Sequence, residues 1–171
     1  MSFLSLFPEE QLDSPLGYFS AQPGQTLKDG TWTITRKLGW GPRSSTWLVI
    51  DKNDQHRALK ILTATATADP NAKNERHFIL KAMKVIPDDV PQLLDTFEEK
   101  DEQGRMHFCL LFRLLGPSVE DLRQGNAYGQ NLPVHIVQKV IGDISNRLAD
   151  LATQNVIHGG KSNYLFHEHS S

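Results

Sequence analysis

The chain has a single cysteine, Cys109, set in an apolar run. One thiol cannot build an internal disulfide framework, so a reducing compartment is expected, the cytoplasm or the nucleus. Basic residues are not in excess: 18 Lys and Arg stand against 20 Asp and Glu, a formal net charge of −2. That balance asks for neither nucleic acid nor an anionic membrane surface. No apolar run reaches the roughly 20 residues that span a bilayer. Phe3-Leu-Ser-Leu-Phe7 is too short for a secretory signal and lacks the basic leader. Internal repeats and low-complexity tracts are absent. The apolar share of 39% is modest, yet well above that of a disordered chain. The 171 residues are therefore expected to form one domain, or one domain with an arm.

Turn residues come first along the chain. Pro8, Pro15, Gly17, Pro23, Gly24 and Gly30 punctuate residues 1–30, which read as an extended arm. Residues 31–38 alternate and are rich in β-branched side chains, the pattern of a strand. Residues 45–50 form the next strand, Asp51 to Asp54 a hairpin turn, and His56 to Leu62 a third strand. A polar connection, 63–74, leads to a helix over 71–86. Glu75, Ile79, Ala82 and Ile86 share one face of that helix. Residues 90–97 and 106–112 read as two further strands, joined by a charged loop over 98–105. A short helix over 117–123 and a loop over 125–131 follow. A long helix over 132–154 has Pro133 near its first turn and a stripe of Ile136, Val140, Ile144, Leu148 and Leu151.

Chemistry concentrates between Lys37 and Leu62. Gly39 and Gly41 carry no Cβ, so backbone N–H groups there can approach phosphate oxygens. Taken alone, a Gly-x-Gly pair is an ordinary turn signal. Lys60 alters the reading. It arrives 19 residues after Gly41 on an Ala-x-Lys strand, where its ammonium supplies a point charge for phosphate. Pro42, at the tip, removes one N–H that a phosphate could have used.

This arrangement resembles the glycine-rich loop and strand-three lysine of a protein kinase small lobe. Lys37-Leu-Gly-Trp-Gly41 and Ser44-x-x-Trp47-Leu48 are more specific: they resemble the serine/arginine-protein kinase group, including its fungal relatives, over about residues 15–166. The fold implied is α+β. A kinase-like small lobe with its hinge, a five-stranded antiparallel sheet plus one helix, would occupy residues 31–116. It would be preceded by the arm, 1–30, and followed over 117–171 by the first helices of an incomplete large lobe. The resemblance implies ATP as cofactor and partner, held by Leu38, Gly39, Gly41, Ser44, Thr46, Ala58 and Lys60. Glu75, the only acid between Asp69 and Asp88, would pair with Lys60. Phe112 would be the gatekeeper, and the backbone from Arg113 to Leu115 would face the adenine. Arg113 stands where the family usually has glutamate.

The resemblance then breaks. His158, Lys161 and Asn163 echo the family's His-x-Asp-x-Lys-x-x-Asn catalytic loop, but Gly160 stands in the place of the aspartate and the spacing is about two residues short. Phosphoryl transfer needs a carboxylate to orient the nucleophile and groups that hold the metal. No catalytic residue is therefore assigned, Mg2+ is not supported, and the enzyme question stays open. His167 and His169 read as solvated, so no metal site is assigned. Three readings compete: a kinase-like, ATP-binding domain without transfer chemistry; an interaction module that binds another protein through helix 133–154; and a truncated gene product. The helix stripe is expected to be covered by another chain or a fold-back, or else to be poorly ordered.

Overall fold

A computed structural model describes residues 15–116, 118–119, 123 and 131–156. Among these residues, six strands form one antiparallel sheet in the order β1-β2-β3-β4-β6-β5. The strands are β1 (Thr26–Leu27), β2 (Trp32–Gly41), β3 (Ser44–Ile50), β4 (His56–Leu62), β5 (Leu93–Lys100) and β6 (Met106–Arg113). The helices are α1 (Ala64–Ala68), α2 (Asn74–Val85) and α3 (Val134–Thr153). The chain divides into two compact units. One holds the residues up to Arg76 together with Leu93–Leu114. The other holds His77–Gln92 and the residues from Leu115 onward.

In the first unit, period-two alternation gives the sheet two distinct faces. Ile34, Trp47, Val49, Leu59, Ile61, Cys109 and Leu111 fill one of them. Phe19, Ala21, Leu27 and Trp32 join the same cluster, so the lead-in from Pro15 contributes to the core. Each large side chain buried this way contributes roughly 1.5–3 kcal/mol. The turn after β3 is built as the sequence suggests. The Asp51 carboxylate accepts from the N–H groups of Asn53 (2.8 Å) and Gln55 (2.9 Å).

Several expectations are corrected. The sheet has six strands, not five, because Thr26 and Leu27 pair with Thr33 and Trp32. The connection over 63–74 contains α1. Thr63 caps it by accepting from the Ala66 N–H at 3.1 Å, and Thr67 Oγ1 accepts from the Phe108 N–H at 2.9 Å. The charged loop expected over 98–105 is shorter, 101–105, because pairing of β5 with β6 continues to Lys100, opposite Met106. The helix expected from residue 71 begins at Asn74.

In the second unit, Ala82, Ile86, Leu151 and Val156 pack together with Val85 and Val90. Arg147 Nε lies 3.0 Å from Asp89 Oδ2. α3 ends in a Schellman turn. Asn155 takes a φ of 53°, its N–H donates to the Ala152 carbonyl, and the Val156 N–H donates to the Leu151 carbonyl. Of the predicted stripe only Leu151 is buried; Ile136, Val140 and Ile144 are half-buried, and Leu148 is exposed.

Candidate functional site

The glycine-containing stretch is a hairpin whose turn is tighter than expected. β2 runs through both glycines, with Gly39 opposite Thr46 and Gly41 opposite Ser44, and only Pro42 and Arg43 lie in the turn. A β-bulge between Lys37 and Gly39 leaves Leu38 without a direct partner in the ladder. Neither glycine has a positive φ, and a Cβ built on either would meet no other atom within 4 Å. Backbone conformation and packing therefore do not require glycine here. The space a side chain would fill lies open along the hairpin.

Strand register brings the other residues onto one face. Thr46 stands opposite Lys60, and Lys60 opposite Leu110. One step along, Leu48 stands opposite Ala58, and Ala58 opposite Phe112. Directly paired residues in an antiparallel ladder point to the same side. Gly39, Thr46, Lys60, Ala58 and Phe112 therefore share the face opposite the aromatic core. Gly39 and Lys60 are two strand spacings apart, roughly 10 Å.

Lys60 is held by a salt bridge. Its Nζ donates to Glu75 Oε1 at 2.5 Å, from the middle of β4 to the first turn of α2. Both side chains remain partly exposed, 29% and 36%. An ammonium has three donor hydrogens, and Glu75 uses one. The remaining donors, beside a glycine hairpin with open space along its backbone, fit the oxygens of a phosphate chain.

The remaining expected residues are less tightly grouped. Ser44 starts β3 and pairs with both Gly41 and Leu62. Arg113 ends β6 with its side chain exposed, and Leu115 belongs to the second unit. His158, Gly160, Lys161 and Asn163 lie outside the described residues, as do His167 and His169. Sequence reasoning missed Leu48 and Leu110, which line the same face; their signal was the two-residue step from Thr46 and Phe112. It also missed Tyr18, whose hydroxyl donates to the Gly41 carbonyl at 2.8 Å. No local pattern announces that contact. Among the described residues no cluster of His, Cys, Asp and Glu could hold a metal ion, and no helix is long and apolar enough to cross a membrane.

No protein-family model matches the chain. Individual proteins do. The serine/threonine-protein kinase SRPK of Physarum polycephalum is 31% identical over 148 residues, covering 83% of this chain and 34% of that protein. SRSF protein kinase 3 of Mus musculus is 29% identical over 153 residues, covering 83% of this chain and 26% of the relative. The serine/threonine-protein kinase SKY1 of Saccharomyces cerevisiae is 31% identical over 114 residues. This chain thus spans about a third or less of the length of the curated relatives it matches. The crystal structure of the PF14_0431 kinase domain superposes with a TM-score of 0.61 at 20% identity, covering 80% of this chain and 39% of that domain. The matched part carries the sheet, the glycine hairpin and the strand lysine. Over most of its length the chain thus matches several kinases of the serine/arginine-protein-kinase group, and its fold is that of part of a kinase domain.

Proposed function

We propose that the first unit binds ATP through its phosphates. The observation that carries this reading is the Lys60–Glu75 pair on the face it shares with Gly39 and Thr46. The hairpin amides would cradle the phosphate oxygens, Lys60 would neutralise part of their charge, and Glu75 would keep Lys60 oriented. Adenine would lie against the backbone of Arg113 and Leu114, near the Phe112 side chain. The small-lobe boundaries proposed for this unit are residues 31–116, with the lead-in 1–30 before it and 117–171 after it. A cytoplasmic or nuclear setting suits the single buried thiol.

Transfer of the phosphoryl group is not part of the proposal. Glycine at position 160, where the resemblance calls for aspartate, leaves the nucleophile without an orienting carboxylate. Binding of ATP without turnover, with Mg2+ adding little, is the reading that follows. The test is calorimetric titration of ATP with and without Mg2+ into the wild-type chain and into Lys60→Ala, beside an assay of phosphate transfer to protein. Saturable binding that Lys60→Ala weakens at least tenfold, with no transfer, supports the reading. Folded protein that binds no ATP removes it.

A second reading rests on α3. Val134, Val137, Ile141 and Leu148 are exposed large apolar residues on this helix, Val134 at 72%. Such a row suits a protein partner, as in an interaction module. Sedimentation of the wild type and of Ile141→Glu over a concentration series tests self-association through this helix. A monomer at every concentration removes self-association from this reading.

A further inference from the structure

Two-residue hairpin turns normally place central residues at positive φ, because such turns follow the twist of the strands. The turn joining β2 to β3 does not: neither Pro42 nor Arg43 has a positive φ. The proline ring forbids it at the first position. A turn of the opposite hand splays its strands, so this hairpin tip needs support from outside.

Support comes from two directions. On one side, Arg43 is tied down: its carbonyl accepts from the Thr63 N–H at 2.9 Å, and its guanidinium reaches Asp69 at 2.9 Å. On the other side stands Tyr18. Its hydroxyl donates to the Gly41 carbonyl at 2.8 Å. Its ring meets Trp40 edge-on, with centroids 6.4 Å apart. The Gly41–Pro42 peptide has no N–H, so its carbonyl is that peptide's only polar group. Fixing this carbonyl fixes the peptide plane between the two amides on either side of it.

Tyr18 is itself firmly placed. The Gly17 carbonyl accepts from the Ala64 N–H at 2.8 Å, and the Leu16 carbonyl from Thr65 Oγ1 at 3.0 Å. Phe19 is buried in the core, with its ring edge-on to His107 at 5.2 Å between centroids. The lead-in is thus anchored on both sides of the tyrosine.

We propose that Tyr18 is a positioning residue. It holds the tip of the glycine hairpin in place, and through it sets the amides that would meet phosphate. The second clause rests on the ATP reading above; the first does not. The lead-in then acts as a strap whose grip on Gly41 sets nucleotide affinity.

The test uses the full chain with Tyr18→Phe, which keeps the ring and the core packing and removes the hydroxyl. Hydrogen exchange is measured without nucleotide. Amides of Trp40, Gly41, Arg43 and Ser44 are expected to exchange about three- to tenfold faster, the range one hydrogen bond supplies, while those of β4 and β6 keep their rates. Unchanged exchange at the tip overturns the proposal, whatever ATP does. A second pair of variants guards against a general loss of stability. Pro42→Asn with Arg43→Gly gives a turn that follows the strand twist and no longer needs a post. In that background Tyr18→Phe should add little to the exchange at the tip; an undiminished effect overturns the proposal. ATP titration of wild type against Tyr18→Phe is the third arm, with Kd expected to rise about three- to tenfold. If wild-type protein binds no ATP, the ATP reading falls and with it the affinity clause, while exchange still decides whether Tyr18 holds the hairpin.

Discussion

Lys60 Nζ and Glu75 Oε1 lie 2.5 Å apart, joining β4 to the first turn of α2 across fifteen positions of chain. Both side chains are partly exposed, so screening limits the pair to about 1 kcal/mol or less of stability. Its larger effect is on where the ammonium points. Glu75→Gln keeps the side-chain length and removes the charge. Urea denaturation should show a loss within about 1 kcal/mol. Calorimetry should show ATP affinity reduced, though by less than in Lys60→Ala, which removes a charged hydrogen bond worth about 1.5–3 kcal/mol. Equal affinity in Glu75→Gln and wild type would mean that Lys60 needs no orienting partner.

Gly41→Ala separates the needs of the fold from those of a ligand. The position has an ordinary φ, and a Cβ there would meet nothing within 4 Å. It precedes Pro42 and lies in a strand, a conformation that alanine adopts freely. Reduced freedom of the unfolded chain should therefore stabilise the variant by about 0.4–1 kcal/mol. The added methyl occupies space along the hairpin backbone, so ATP affinity should fall. A raised urea midpoint at unchanged slope, together with weaker ATP binding, is the expected pair of results. A destabilised variant would show that the fold itself demands glycine at this position.

How far the structure could be read from the sequence depended on the distance over which each element is determined. β4 is found with the bounds expected, His56–Leu62, because its neighbours alternate and a strong Asp51 turn precedes it. The Lys60–Glu75 contact was legible through the resemblance, which implies an acid on that helix paired with the strand lysine, and Glu75 is the only acid between Asp69 and Asp88. α1 was not legible. Five residues of alternating alanine and threonine carry no helical period, and the helix depends on the Thr63 cap and on the Thr67 contact to β6. β1 has two residues and exists only through its pairing with β2. Tyr18 meets Gly41 across 23 positions of chain, so no local signal could place it. The glycines were expected in the turn between two strands, because Gly-x-Gly suggests a turn. Continued pairing with β3 as far as Ser44 makes them strand residues.

Cys109 should be chemically silent. It lies on the inner face of the sheet, opposite Ile61 on one side and Phe97 on the other, with no exposed surface. Burial pushes its thiol far above the ordinary cysteine range, and the charges of Glu99 and Glu98 push the same way. Only the thiolate is an effective nucleophile. A thiol-reactive disulfide reagent at pH 8 should leave the folded protein unlabelled and should label one thiol per chain in urea. Rapid labelling of folded protein would show that the sheet opens at β6.

Asp101 governs the turn between β5 and β6 and should confer a pH dependence on stability. Its Oδ1 accepts from the Arg105 N–H at 2.8 Å and the Gln103 N–H at 3.0 Å. Its Oδ2 accepts from Arg105 Nε at 2.6 Å and lies 3.2 Å from Nε2 of the buried His107. Burial alone would raise this carboxyl. The hydrogen bonds from Arg105 and His107 outweigh burial and hold it below the usual aspartate range. A group depressed on folding stabilises fully above its unfolded value, about 3.9 for aspartate, and loses that contribution as pH falls through its folded value. Asp101→Asn keeps the shape and leaves Arg105 and His107 facing an uncharged amide. The variant should be less stable at pH 5 by about 1–3 kcal/mol. Urea denaturation repeated at successively lower pH should show the gap to wild type narrowing below about pH 4, as the wild-type carboxylate takes up its proton. A gap that widens on acidification would mean that the carboxylate is not held in its charged form by this network.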